Sequence, residues 1–118
     1  MKNFRPWGWF ETIQEGSTYK VKRLLVKVGH QLSLQRHNHR SESWTVVQGD
    51  GLLLCDDDWH YATPGKTLTI PCGSVHRARG GSSDLLIIEV QHGEILSEDD
   101  IERLEDDYGR STSTATDL

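Results

Sequence analysis

Between Tyr19 and Val28 the chain alternates: Lys20, Lys22, Leu24, Val26 and Val28 fall on one face, and Val21, Arg23, Leu25 and Lys27 on the other. A period of two is the signature of a β-strand, whose successive side chains point to opposite sides. The rest of the chain repeats this commitment to sheet. Leu32 to His37 follows a break at Gly29. Ser43 to Gln48 and Leu52 to Cys55 flank Gly49-Asp50-Gly51, which reads as a hairpin because glycine accepts positive φ. Trp59 to Ala62, Thr67 to Ile70 and Leu85 to Gln91 are further strand candidates. Gly, Pro, Asp and Ser separate these short runs at regular spacing, which points to an all-β sandwich or barrel.

One short helix is expected near the C-terminus. Ser97 can cap it, Glu98, Asp99 and Asp100 suit the positive end of its dipole, and Gly109 can end it. Ile101, Leu104 and Tyr108 would share one face and dock it on the sheet. The acidic run between Glu94 and Asp107 then reads mainly as the solvated face of that helix. Residues 111–118 form a polar tail expected to be disordered, which leaves 1–110 as a single domain with an N-terminal arm.

Size and charge narrow the function. The 118 residues suit one core, and no apolar run approaches the ~20 residues that span a bilayer. The start, MKNFRPWGWF, lacks the apolar segment of a secretory leader, and Cys55 and Cys72 are too far apart for a CxxC pair. A cytoplasmic protein with no membrane partner is the expectation. A net charge of −5 argues against nucleic-acid binding. Lys20, Lys22, Arg23 and Lys27 nevertheless leave room for a locally positive pocket that takes a small anion.

Two blocks carry the candidate site. After Gly29, five residues lead to Gln35, one more to His37, four to Glu42 and six to Gly49. After Gly65, five residues lead to Pro71-Cys72-Gly73 and two more to His76. These intervals resemble the two-part cupin signature, in which paired ligands and a Glu precede a Pro-x-Gly turn and a last His. Placing His37 and His39 on the paired positions leaves one residue too few before Glu42, so Gln35 takes the place of the first His. The Asn that closes the second part is Gly80 here. The resemblance implies a jelly-roll barrel with Gln35, His37, Glu42 and His76 around a divalent metal ion. Zinc is the first expectation, with Mn, Fe, Ni or Co as alternatives. Gln35 and His37, two apart on one strand, enter the barrel together, while Glu42 needs a turn or bulge through Asn38 to Ser41 to restore its direction. Barrels also contain buried histidines that only make hydrogen bonds. Four positions matching two linked patterns favour the metal.

A narrower resemblance covers nearly all of the chain before the tail. RPWGWFE, YKVKRLLVKVG, SLQRHNHRSESWTVVQG and LLIIEVQHGEILSEDDIERLEDDYGR are similar to segments of type II mannose-6-phosphate isomerases. In that family the isomerase is often fused behind a mannose-1-phosphate guanylyltransferase, for which this chain has no room. The run around His37 commonly carries three consecutive histidines there, interrupted here by Asn38. The resemblance implies a metal-dependent interconversion of mannose 6-phosphate and fructose 6-phosphate; the wider cupin resemblance implies a homodimer, with the Arg5–Glu11 arm either contributing to its interface or folding back on its own barrel. A non-catalytic module binding a sugar phosphate or sugar nucleotide is the alternative.

Such an isomerase needs cations for the phosphate and a base for the proton alpha to the carbonyl. The resemblance makes Arg40 the first phosphate candidate. Lys22 comes next, because its face is otherwise Leu24, Val26 and Val28; Arg77 and Lys66 rank lower. The base is either His39 or a metal-bound water. His39 lies near a strand end, where a rim role and plain exposure are both open. His30, His60 and His92 read as structural or surface residues.

Overall fold

The alternating runs become eleven strands in a computed structural model that describes residues 1–109. In chain order they are β1 (Asn3–Arg5), β2 (Gly8–Glu15), β3 (Tyr19–Val26), β4 (Leu34–Arg36), β5 (Ser41–Gln48), β6 (Gly51–Cys55), β7 (Asp58–Ala62), β8 (Thr67–Ile70), β9 (His76–Gly80), β10 (Leu85–His92) and β11 (Glu102–Glu105). They form a six-stranded sheet, β1-β2-β3-β10-β5-β8, and a five-stranded sheet, β11-β4-β9-β6-β7, each built from antiparallel pairs. Apolar side chains from both sheets meet between them, with Val26, Trp44, Val46, Leu53, Ala78, Leu85 and Ile87 almost fully buried. No helix among the described residues is long and apolar enough to cross a membrane.

The inward faces of β3, β10 and β5 change character along their length. In register, Val26 lies beside Leu85, and Leu24 beside Ile87, which in turn lies beside Val46. The next inward row is Lys22, Glu89 and Trp44, and the row beyond it is Lys20, Gln91 and Glu42. Lys22, Glu42, Glu89 and Gln91 are all buried. One half of the barrel is therefore an ordinary core, and the other half is a polar cavity on the same strands.

Two expectations change. The short helix expected between Ser97 and Gly109 is absent among the described residues. Ser97 does cap a turn, its hydroxyl accepting from the Asp99 N–H at 3.1 Å, but the chain then enters β11 and pairs with β4. The open edge of β4 offers a ladder, and ion pairs Arg36–Glu102 and Arg77–Glu105 secure it, so tertiary pairing overrides the capping signal. The acidic run is accordingly not a solvated helix face. Glu98, Asp100, Glu102 and Glu105 each hold a specific partner.

The second change is at Gly49-Asp50-Gly51, which joins no hairpin, since β5 and β6 belong to different sheets. Gly49 (φ 87°) passes so close to the Asp84 carbonyl that a Cβ would lie 1.9 Å from its oxygen. The Asp50 carboxylate meanwhile accepts from the hydroxyls of Ser82 and Ser83. Glycine serves here to cross between sheets. At the N-terminus the arm folds back as β1 and β2 on β3, one of the two arrangements open to it, burying Trp7 and leaving Phe4 exposed. The departure at Gly80 also has a cause: a Cβ there would sit 2.2 Å from the Lys27 carbonyl oxygen. The expected tail, 111–118, lies outside the described residues.

Candidate metal centre

His37, Glu42 and His76 come from three different places in the fold, and one nitrogen or oxygen from each lies within 4.8 Å of the others. His37 follows β4, Glu42 is the second residue of β5, and His76 opens β9 after the turn at Gly73. His37 Nε2 is 3.3 Å from Glu42 Oε2, and His76 Nε2 is 3.5 Å from Glu42 Oε1. Each imidazole is fixed from behind. His37 Nδ1 donates to the Asp100 carbonyl at 2.6 Å, and His76 Nδ1 to the Ser74 carbonyl at 2.9 Å. With Nδ1 committed as donor, Nε2 is the lone-pair nitrogen that faces the cluster, the arrangement found behind metal-bound histidines.

Electrostatics agree with a cation. Burial, then the Arg40 guanidinium and His76, push His37 down to about 4, and burial pushes His76 down as well. Both rings are thus neutral near pH 7, the form that ligates. Glu42 Oε1 is buried with no hydrogen-bond donor among the described residues, and Gln91 Oε1 on the adjacent strand is in the same condition. An acceptor buried without a donor is costly, and a divalent ion at the cluster would satisfy Glu42. Two neutral imidazoles and one carboxylate leave such an ion with residual positive charge. The donor set fits a metal.

The cluster opens into a cavity of about 450 Å³ that Gln35, Lys22 and Arg40 also line. Gln35 is the ladder partner of His76, and its amide donates to the Ser33 carbonyl at 3.4 Å. Arg40 bridges the cluster, with Nε on Glu42 Oε2 at 2.8 Å and Nη2 at 3.3 Å from His37 Nε2. Lys22 points inward, its Nζ 4.5 Å from the Phe10 ring centroid. His39 is exposed and does not line the cavity. Its backbone N–H, with that of Asn38, donates to the Asp100 carboxylate. Arg77 and Lys66 also lie outside the cavity; Arg77 instead donates to the Leu32 carbonyl and to Glu105.

Sequence reasoning passed over Glu89, which lines the cavity one strand from Glu42. It accepts from Trp44 Nε1 on one oxygen and from Gln91 Nε2 on the other, both at 2.9 Å. Burial, and then the Glu42 carboxylate, push it up to about 7. The signal was present in Leu85-x-Ile87-x-Glu89-x-Gln91, where an acid stands in the inward period of an apolar strand. Asp100 was also missed, because its contact with His37 spans 63 residues.

Two facing antiparallel sheets with His, Glu and His gathered at one end of the barrel define a cupin. A cupin-2 domain from Rhodospirillum rubrum superposes with a TM-score of 0.67 at 20% identity, over 78% of this chain and 67% of that one. The capsular polysaccharide assembling protein CapF from Staphylococcus aureus superposes with a TM-score of 0.77 at 23% identity, over 89% of this chain and 32% of that one. The chain belongs to the mannose-6-phosphate isomerase C-terminal family, whose profile matches residues 1–106. It is 49% identical over 113 residues to alginate biosynthesis protein AlgA of Pseudomonas aeruginosa, covering 95% of this chain and 24% of that protein. The chain thus spans about a quarter of the length of the AlgA relative it matches.

Proposed function

We propose that this chain interconverts mannose 6-phosphate and fructose 6-phosphate, supplying mannose units to polysaccharide synthesis. One observation carries the reading: a His37–Glu42–His76 cluster lies beside Arg40 and Lys22 in a single cavity. The family match and the alginate role in the name of AlgA support it. His37, Glu42 and His76, with Gln35 as a fourth donor, would hold the metal ion, zinc being the first choice for nitrogen and oxygen donors. When bound, that ion supplies a Lewis acid for the carbonyl and hydroxyl oxygens of the sugar.

The chain's own groups do the rest. Arg40 and Lys22 bind the phosphate, and the buried walls position the sugar. Once Glu42 is committed to the cluster, Glu89 is the buried cavity carboxyl left to move the proton between adjacent carbons. His39, outside the cavity, is less well placed for that step. The test is a coupled isomerisation assay alongside metal analysis. Turnover should vanish with a chelator and return with a divalent ion. Metal-loaded protein that binds sugar phosphate normally yet shows no turnover would reject the isomerase and leave a binding module.

A further inference from the structure

Three cavity cations are held by the oxygens of one short segment. Lys22 Nζ lies 2.5 Å from Glu98 Oε1, Lys20 Nζ donates to the Leu96 carbonyl at 3.2 Å, and Arg40 Nη1 donates to the Ser97 carbonyl at 3.1 Å. Lys20, Lys22, Arg40 and Glu98 all line the same cavity. The segment leaves β10 at His92 and is fastened at its far end by Asp100, whose carboxylate accepts the Asn38 and His39 N–H groups. Between these anchors, its oxygens meet the cations like the acceptors of a ligand.

The two sides of the contact are unequal. The Lys22 side chain is 6% exposed and that of Glu98 is 52% exposed. Lys22 therefore cannot turn to water, whereas Glu98 can do so at little cost. A buried ammonium requires an anion, and a half-exposed carboxylate is a weak one to keep. Burial raises the Glu98 pKa, but Lys22, Arg40 and Lys20 together outweigh it and hold Glu98 below its ordinary value, so all three cations act on this one carboxylate.

We propose that Lys20, Lys22 and Arg40 form a phosphate-monoester subsite, and that Glu98 with the Leu96 and Ser97 carbonyls is its internal stand-in, displaced when the phosphate enters. A phosphate dianion brings three acceptor oxygens to three donors now shared by one carboxylate and two carbonyls, and it doubles the negative charge offered. A neutral sugar cannot displace Glu98 from Lys22, so Glu98 selects for phosphorylated ligands. The inference rests on the sugar-phosphate reading of the cavity but requires no turnover.

The test is calorimetric titration of inorganic phosphate, mannose 6-phosphate and mannose into wild-type protein and into Glu98→Gln, Glu98→Asp and Lys22→Met, at matched ionic strength. If the closed arrangement holds about nine molecules in ten, its loss lowers the Kd for phosphate roughly tenfold. Glu98→Gln should show that gain, and Glu98→Asp, which keeps the charge but retracts it, a smaller one. Mannose should remain unbound throughout. Lys22→Met should lose phosphate binding. Phosphate should also raise the melting temperature of Glu98→Gln more than that of wild type, a readout independent of calorimetry. Equal or weaker phosphate binding by Glu98→Gln, or wild-type affinity in Lys22→Met, overturns the proposal. A silent isomerase assay with these binding shifts intact would reject the enzymatic reading alone. An active isomerase without the shifts would reject the subsite alone.

Discussion

Replacing Glu89 by Gln should stabilise the metal-free protein at alkaline pH while reducing its activity. The carboxyl is buried and its pKa is pushed from an ordinary 4.5 up to about 7, so the folded state prefers the protonated form. Below pH 4.5 the folded and unfolded states both carry the proton, and Glu89 adds no pH dependence. Between 4.5 and about 7 the unfolded chain has released it while the folded chain still holds it, so stability falls as pH rises. At about 1.4 kcal/mol per pH unit, the loss reaches about 3 kcal/mol at pH 8 and is about 1 kcal/mol at pH 5. Gln does not titrate. It keeps the acceptor for Trp44 Nε1, and its NH₂ can donate to Gln91 Oε1, buried without a donor among the described residues, if the Gln91 amide turns over. His37, held near 4, contributes a slope of opposite sign, since a depressed histidine gains stability as pH rises towards 6.5. His76, depressed as well, adds to that opposing slope, so the wild-type profile alone masks the Glu89 contribution, and the difference between the two proteins isolates it. Urea unfolding with a chelator at pH 5 and pH 8 measures it, and the margin at pH 8 corresponds to about 10 °C in Tm for a domain of this size. If Glu89 moves the substrate proton, the same variant should lose on the order of a hundredfold or more in kcat. An equal margin at the two pH values, or a less stable variant at pH 8, would refute the burial argument.

Other outcomes follow from named contacts. Gly80→Asn, which restores the residue of the cupin pattern, should cost on the order of 3 kcal/mol by driving a side chain into the Lys27 carbonyl; thermal unfolding should show it. Arg40→Met should raise zinc affinity about tenfold in chelator competition, because it removes a cation from His37 Nε2 and Glu42 Oε2, and it should weaken sugar-phosphate binding. The open edge of β1 and the exposed Phe4 are expected to pair two copies of the chain. Sedimentation should report a dimer that Phe4→Glu dissociates; a wild-type monomer at about 100 μM, well above a micromolar Kd, removes that expectation.

The sequence revealed what depends on short range. The inward parity of Lys22, Leu24 and Val26 held, as did the strand at Thr67–Ile70 and the convergence of His37, Glu42 and His76. Those features follow from period two and from fixed intervals around glycine and proline. What it hid depends on partners distant in the chain. Ser97 and the acids after it look like a helix start, and only the free edge of β4 and the positions of Arg36 and Arg77 make that segment a strand. Gly49-Asp50-Gly51 carries hairpin chemistry, yet whether it joins neighbours in one sheet or crosses between two depends on what the flanking strands pair with. Glu89 was legible by parity but stood in a strand otherwise read as core.

The change of character along β3, β10 and β5 separates what the barrel can vary from what it must keep. Its charged rows rest on a dry floor of Leu24, Ile87 and Val46, so they are hydrated from one side only and act on a ligand with little screening from beneath. Lys20, Lys22, Glu89 and Gln91 lie outside the apolar rows of Val26, Leu24, Leu85 and Ile87, and it is such a hydrophobic pattern that fixes strand register. New ligand chemistry can therefore be written into two rows of one sheet, while the rows below supply the stability that such polar substitutions erode.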